Sequence, residues 1–431
     1  MKVIRLKNLT KQDYKRIINR STYTSQDIFP VVREVMEKVR EGGDKVLIED
    51  FKRRFGKENF NSLEVTQAEI KQAYKKVNKD LILALKQMIK NITLVHKAQL
   101  PTKRDKVVYP EIGISVRREW RPIEKVGLYI PGGKAIYPSS VLMSAIPAII
   151  AGCKEVIMCS PARLNGQIPA PTLVAADLVG LKKIFKVGGV ETIAAMAYGT
   201  ESIPKVYKIF GAGNSYVTAA KMLALSEVSI DMPAGPSEIF IIADETANPT
   251  FIAADLLADG EHGEDSACVL ITTSVDIAKK TLEDVEKQMP KLSTEQRVRE
   301  SLRRFGLFAV VDSLDEAVEF ANEYAPEHLE IMTQKANQLM EKITNAGSVF
   351  LGNYTTKSSG DYATGANHIL PTGGMAKMYP PLGVDAFGKW MQVQKCTKDG
   401  LLSIKKTIET LAEVEQLPAH KNSSTIRFLR E

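Results

Sequence analysis

Histidine is scarce in this chain, with five residues in 431. Cysteine is scarcer still: Cys153, Cys159, Cys268 and Cys396 stand far apart, and no two form a CxxC pair. That spacing excludes a disulfide framework and a zinc-ribbon pattern. Scattered thiols, at least three of them in apolar strand-like runs, are expected to be reduced and buried. No apolar run reaches the roughly 18 residues that a membrane helix requires. The opening MKVIRLKNLTKQDYKR lacks the apolar core of a signal peptide, so a cytoplasmic location is expected. The net charge is +7, yet no basic block is interleaved with aromatics, and nucleic-acid binding is not indicated. Such an excess is suited at most to attracting a phosphate-bearing cofactor.

What the chain does have is alternation. Helical patterns fill 28–55, with a break expected at Gly42-Gly43, and 65–96. From 126 onward short apolar runs alternate with helical segments: strands at 126–130, 155–159, 182–186 and 206–209, then at 239–242, 267–272, 307–311, 329–332 and 348–351. Strand–helix alternation argues for an α/β fold with parallel sheets covered by helices. Two such units are expected, each an incomplete Rossmann-like domain, with a small N-terminal arm at 1–24 and a C-terminal tail. Regularity fails from 352 to 388, and a Gly-, Ser- and Pro-rich loop of that length is usually functional.

The candidate chemistry centres on residues 248–265, NPTFIAADLLADGEHGED. Asn248 can cap a helix, Pro249 suits its first position, and Phe251, Ile252, Leu256 and Leu257 give it a core face. Asp259 and His262, three apart near its end, can hold two corners of a metal site. Of the other histidines, His96 lies in an ordinary helical pattern and reads as structural. His328 sits in APEHLE, His368 in GDYATGANHILPT and His420 in PAHKN. Two imidazoles and two carboxylates make a workable tetrahedral zinc set: Asp259, His262, Asp361 and either His368 or His420. Glu327-His328 is a plausible general-base unit. The turn 211–216, GAGNSY, lacks the third glycine of the dinucleotide fingerprint, so it reads equally as a phosphate cradle or a tight turn.

With these residues in view, the chain resembles the histidinol dehydrogenase family over nearly its whole length. The resemblance is carried by GLYIPGG (127–133), VLMSAIPA (141–148), GTESIPKVYKIFGAGN (199–214), DMPAGPSE (231–238), EHG (261–263), APEHLE (325–330), the loop 352–374 and AHKN (419–422). It implies a zinc- and NAD-dependent homodimer that oxidises L-histidinol to L-histidine through a bound aldehyde. The metal positions would fall on Asp259, His262, Asp361 and His420, the last given by the neighbouring subunit. The acid–base pair would be Glu327 and His328, and the NAD positions Tyr129, Glu191 and Asn214. Substrate contacts would fall on Ser237, His328, His368, Glu415 and the metal-binding residues. The resemblance implies that 25–126 and 239–372 form the domain with the metal and acid–base residues. It implies a cofactor domain at 127–238 and a dimerisation tail at 373–431.

Three departures stand out. Asp259 and Glu191 each stand where the family usually has glutamine, and 381–384 reads PLGV instead of part of SGLSV. The first would neutralise a zinc ion and weaken it as an electrophile. The second would accept from ribose hydroxyls and repel a 2′-phosphate. Such changes leave open a zinc- and NAD-dependent paralogue acting on another small polar alcohol, such as a sulfonated diol. They also leave open a metal-stabilised protein without catalysis.

Overall fold

The computed structural model describes residues 2–20, 28–58, 60–132 and 135–429; Gly133 of the first glycine turn lies outside them, as do residues 21–24 of the expected arm. In chain order the strands are β1 (Val3–Arg5), β2 (Ile114–Pro122), β3 (Lys125–Tyr129), β4 (Glu155–Cys159), β5 (Lys183–Phe185), β6 (Lys208–Phe210), β7 (Ser229–Ile230), β8 (Glu238–Ala243), β9 (Ala267–Thr272), β10 (Gly306–Val310), β11 (His328–Met332), β12 (Ser348–Leu351) and β13 (Gly388–Cys396). The helices are α1 (Lys11–Ile18), α2 (Ile28–Phe55), α3 (Gln67–Lys75), α4 (Lys79–Ala98), α5 (Pro138–Ala151), α6 (Ala170–Leu178), α7 (Gly189–Tyr198), α8 (Ser215–Leu223), α9 (Pro249–Gly260), α10 (Val275–Gln288), α11 (Glu295–Phe305), α12 (Leu314–Tyr324), α13 (Ala336–Met340), α14 (Lys357–Tyr362), α15 (Lys398–Val414) and α16 (Pro418–Thr425).

Two compact units result: Met1–Gln99 with Ile123–Phe387, and Leu100–Pro122 with Gly388–Glu431. The larger unit holds two parallel sheets, ordered β1-β10-β9-β8-β11-β12 and β5-β4-β3-β6-β7. β8 and β9 are buried at every position, which is why they read as unbroken apolar runs rather than as alternation. Ile252, Leu256 and Leu257 of α9 pack on one face of the larger sheet, and Phe320 and Tyr324 of α12 on the other. Phe251, expected on that core face, is partly exposed instead.

α1 packs on α12 of the larger sheet, whereas α2, α3 and α4 cover the smaller one. Val32, Met36 and Val39 of α2 join Ile193 of α7 and Val217 of α8 in one core, while α3 meets α6 and α4 meets α5. The division read from the resemblance placed this stretch with 239–372; its packing is with the smaller sheet. α2 breaks at Gly43, whose φ of +52° suits only glycine comfortably.

In the second unit β2 and β13 pair antiparallel over nine residues, and α15 packs with α16. β2 begins at Ile114, and two isolated antiparallel bridges, Arg104 to Glu119 and Val108 to Val116, join the residues before it to the strand. Cys159 and Cys268 are buried in β4 and β9, whereas Cys396 is exposed at the end of β13. Among the described residues no helix is long and apolar enough to cross a membrane.

Candidate active site

Each parallel sheet has a point where strand order reverses. In the smaller sheet the chain leaves β3 for β4 and β5 on one side, then returns to β6 and β7 on the other. Ligands of open α/β sheets bind at the carboxyl ends of the strands flanking such a point. Tyr129 ends β3 there, and Asn214 follows β6, capping α8 by accepting from the Val217 amide at 3.1 Å. The turn between them needs Gly211: its φ is +129°, and a Cβ would lie 2.1 Å from the Tyr129 carbonyl oxygen. Lys221, buried, fixes this turn by donating to the Gly211 and Met232 carbonyls at 2.9 and 2.8 Å and by pairing with Asp231. Glu191, in the first turn of α7, is held by Arg54 at 2.5 Å, and burial pushes its carboxyl pKa up. Burial also pushes the Tyr129 phenol up to about 12.

The larger sheet is used at its opposite edge. Its carboxyl-end reversal, between β8 and β11, is filled by Asp244, which accepts from Thr246 N and Gln334 N, both at 2.9 Å. The candidate site side chains gather instead at the amino ends of the strands. Ser237 precedes β8, Glu327 and His328 open β11, and α9 runs back so that its end delivers Asp259 and His262. α9 closes on the Asn248 cap at one end, and at the other His262 N donates to Asp259 O at 3.1 Å. The carboxyl end of a helix carries partial negative charge and favours a cation.

That cation is Lys357. Its Nζ lies 3.0 Å from Asp259 Oδ1, 2.9 Å from Asp361 Oδ2 and 2.9 Å from His262 Nε2. Asp259 and His262, neighbours at the end of α9, and Asp361, from a distant part of the sequence, thus surround one positive charge. Burial works against the ammonium, but Asp259, Asp361 and Glu327 outweigh it and hold the lysine pKa above its ordinary value. Asp361 is held below its ordinary value: burial opposes ionisation, but Lys357 prevails. Burial around the His262 imidazole, and then the Lys357 charge, lower its pKa. The residue as a whole is exposed. Among the described residues no three His, Cys, Asp or Glu side chains close to metal-binding spacing. The physical reason is the ammonium: donors about 3 Å from a nitrogen stand wider than donors at the about 2.0–2.2 Å of zinc. Asp259 Oδ2 has no hydrogen-bond partner among the described residues, although it is buried.

Beside this cage stand Glu327 and His328, the acid–base candidates. Glu327 Oε2 accepts from Glu238 N at 2.8 Å and Ser237 Oγ at 3.1 Å, and lies 3.5 Å from His328 Nδ1. His328 Nδ1 is 2.9 Å from the Glu238 carbonyl, so it donates there and a neutral ring carries its lone pair on Nε2. That Nε2 is buried with no hydrogen-bond partner among the described residues, 3.9 Å from Asp361 Oδ1. Burial lowers the His328 pKa, but the Glu327 charge prevails and raises it; burial raises Glu327. His368 Nδ1 is 3.1 Å from the Asp361 carbonyl and Nε2 is 3.3 Å from Ser140 Oγ, so Ser140 donates. Burial drives the His368 pKa down to about 4, leaving the ring neutral.

Ser237, Asp259, His262, Glu327, His328, Asp361 and His368 therefore share one neighbourhood, and Tyr129 and Asn214 flank the crevice of the smaller sheet. Glu415 and His420 lie at the end of α15 and on α16 in the second unit, both exposed. His96 is buried in α4, with Nδ1 2.9 Å from Ile92 O and Nε2 3.2 Å from Asn367 Nδ2. Sequence reading missed Ser140 and Lys357. Lys357 had a signal, its i, i+4 spacing to Asp361, but no helix was expected in that loop.

The family model described as histidinol dehydrogenase matches residues 18–428. A histidinol dehydrogenase of Bacteroides fragilis is 47% identical over 419 residues, covering 97% of both chains. One from Methanothermobacter thermautotrophicus is 44% identical over 421 residues, covering 97% of this chain and 98% of its own. The crystal structure of histidinol dehydrogenase from Elizabethkingia anophelis aligns with a TM-score of 0.93 at 42% identity, covering 99% of this chain and 98% of the other. With the candidate residues collected at the amino ends of one sheet and a likeness that runs over nearly the whole length, the chain belongs to the histidinol dehydrogenase family.

Proposed function

We propose that this chain oxidises L-histidinol to L-histidine, the closing steps of histidine biosynthesis, as a cytoplasmic homodimer. NAD bound at the β3–β6 crevice, near Tyr129, Glu191 and Asn214, supplies the hydride acceptor for both oxidations. A zinc ion held by Asp259, His262, Asp361 and His420 of the partner subunit supplies an anchor that orients the substrate. The donors fit such an ion: carboxylate and imidazole atoms already turn toward one buried positive charge. The other polar alcohols that the residues left open lose ground to histidinol, since the relatives carry that substrate in their names.

The observation that carries the reading is His328 Nε2 on the rim of that cage, buried with no hydrogen-bond partner among the described residues. It takes the hydroxyl proton as the carbinol carbon loses hydride, and Glu327 steadies the imidazolium. A water then adds to the aldehyde carbonyl, Glu327 helping to remove its proton, and the hydrate loses the second hydride. One water is consumed and two hydrides leave, giving the carboxylate. Ser237, His368 and Glu415 of the partner subunit position the substrate, and holding the aldehyde in place protects it from side reactions. The second unit supports the dimer: it exposes Trp390, Met391, Leu402, Leu411, Val414 and Leu417, which suit a second copy.

Zinc-loaded protein supplied with L-histidinol and NAD should form two NADH for each L-histidine. Absence of NADH at confirmed zinc stoichiometry would sink the proposal.

A further inference from the structure

The cage that Asp259, His262 and Asp361 make already has an occupant that belongs to the chain. Lys357 leads α14, and its side chain is only 2% exposed. Its ammonium makes three close contacts, one with each of those residues. A divalent ion taking the same donors would meet this ammonium at contact distance. Two positive charges cannot share so small and buried a space, because little water remains to screen them. One must therefore give way to the other.

We propose that Lys357 is an internal counter-ion that competes with the metal: it fills the cage in the metal-free chain and must withdraw before a divalent ion binds. The inference rests on the metal-site reading given above. The chain provides somewhere for the ammonium to turn. Glu330 on β11 accepts from Lys357 N at 2.8 Å through Oε1, while its buried Oε2 has no hydrogen-bond partner among the described residues. Asp255, one turn before Asp259 on α9, is buried on the same side and feels the Lys357 charge. The lysine thereby stabilises the empty site, where two carboxylates would otherwise face each other uncompensated. It also sets the metal affinity below what the donors alone would give.

The test compares wild type with Lys357→Gln and Lys357→Arg, each stripped by chelation. Zinc affinity is measured by competition with a chromophoric chelator, and thermal unfolding is followed with and without zinc. Lys357→Gln should bind zinc at least tenfold more tightly and unfold several degrees lower when metal-free, so that zinc raises its midpoint more than it raises that of wild type. Lys357→Arg keeps the charge and should bind no more tightly than wild type. Equal or weaker zinc binding by Lys357→Gln, with its zinc-loaded form folded, overturns the competition and leaves the metal site standing. If wild type and Lys357→Gln both fail to take up zinc, the metal site and this inference fall together.

Discussion

Arg20 grips both carboxylate oxygens of Glu238, Nε to Oε1 at 2.9 Å and Nη2 to Oε2 at 2.6 Å, with both side chains nearly sealed from solvent. Glu238 in turn offers its amide to Glu327 and its carbonyl to His328. The ion pair therefore holds the residue whose two flanking peptides orient Glu327 and His328, the proposed acid–base pair, and Arg20 is expected to act as a positioning residue. Arg20→Gln leaves a buried carboxylate without its charge partner, which typically costs about 3–5 kcal/mol. Denaturant unfolding should show a loss of that order, and kcat should fall more than KM rises. Unchanged stability would refute the coupling.

Glu327 raises the His328 pKa, against the effect of burial. His328 must be neutral to accept a proton, so the rate should climb as pH rises through a pKa above the ordinary imidazole value of about 6.5. Glu327→Gln removes the negative charge and should move that climb to lower pH. It should also slow aldehyde oxidation more than alcohol oxidation in single turnovers. Equal slowing of both steps would argue against a role for Glu327 in water attack.

His262→Ala, Asp361→Ala and His420→Ala should each lose bound zinc on gel filtration, read by elemental analysis. Full zinc in all three would refute the ligand set.

If His420 and Glu415 act across a dimer, two dead subunits can rescue each other. Mixed His328→Ala and His420→Ala proteins should recover part of the activity after subunit exchange, since one site in each mixed dimer is then intact. No recovery after proven exchange would place the site within one chain.

Gly211→Ala would force a side chain into backbone at a φ that only glycine tolerates, 2.1 Å from the Tyr129 carbonyl oxygen. The turn must shift, at a cost of roughly 1–3 kcal/mol. NAD affinity, followed by fluorescence titration, should fall at least tenfold. Native affinity would show that this turn does not hold the cofactor.

Much of this was legible in the sequence because the signals are local. Burial on both faces makes β8 and β9 continuous apolar runs, and the Asn248-Pro249 start of α9 needs only neighbouring atoms. The motifs likewise named the family, and with it Glu327, His328 and the candidate ligands. Where the helices at 28–98 would pack was not local. Their apolar stripes fit either sheet, and only the matching surfaces of α5 to α8 decided it.

Lys357 shows the same limit at the site itself. In the sequence it is one lysine in a Gly- and Ser-rich loop, and its i, i+4 spacing to Asp361 does not tell a buried pair from a solvated one. Its role comes from the fold, which brings the end of α9, the start of β11 and α14 together and leaves buried carboxylates needing a positive charge. The sequence by itself determined the kinds of donor atoms and the order of strands and helices. Only the tertiary structure decided which cation those donors face, because charge balance in the interior depends on every element that meets there.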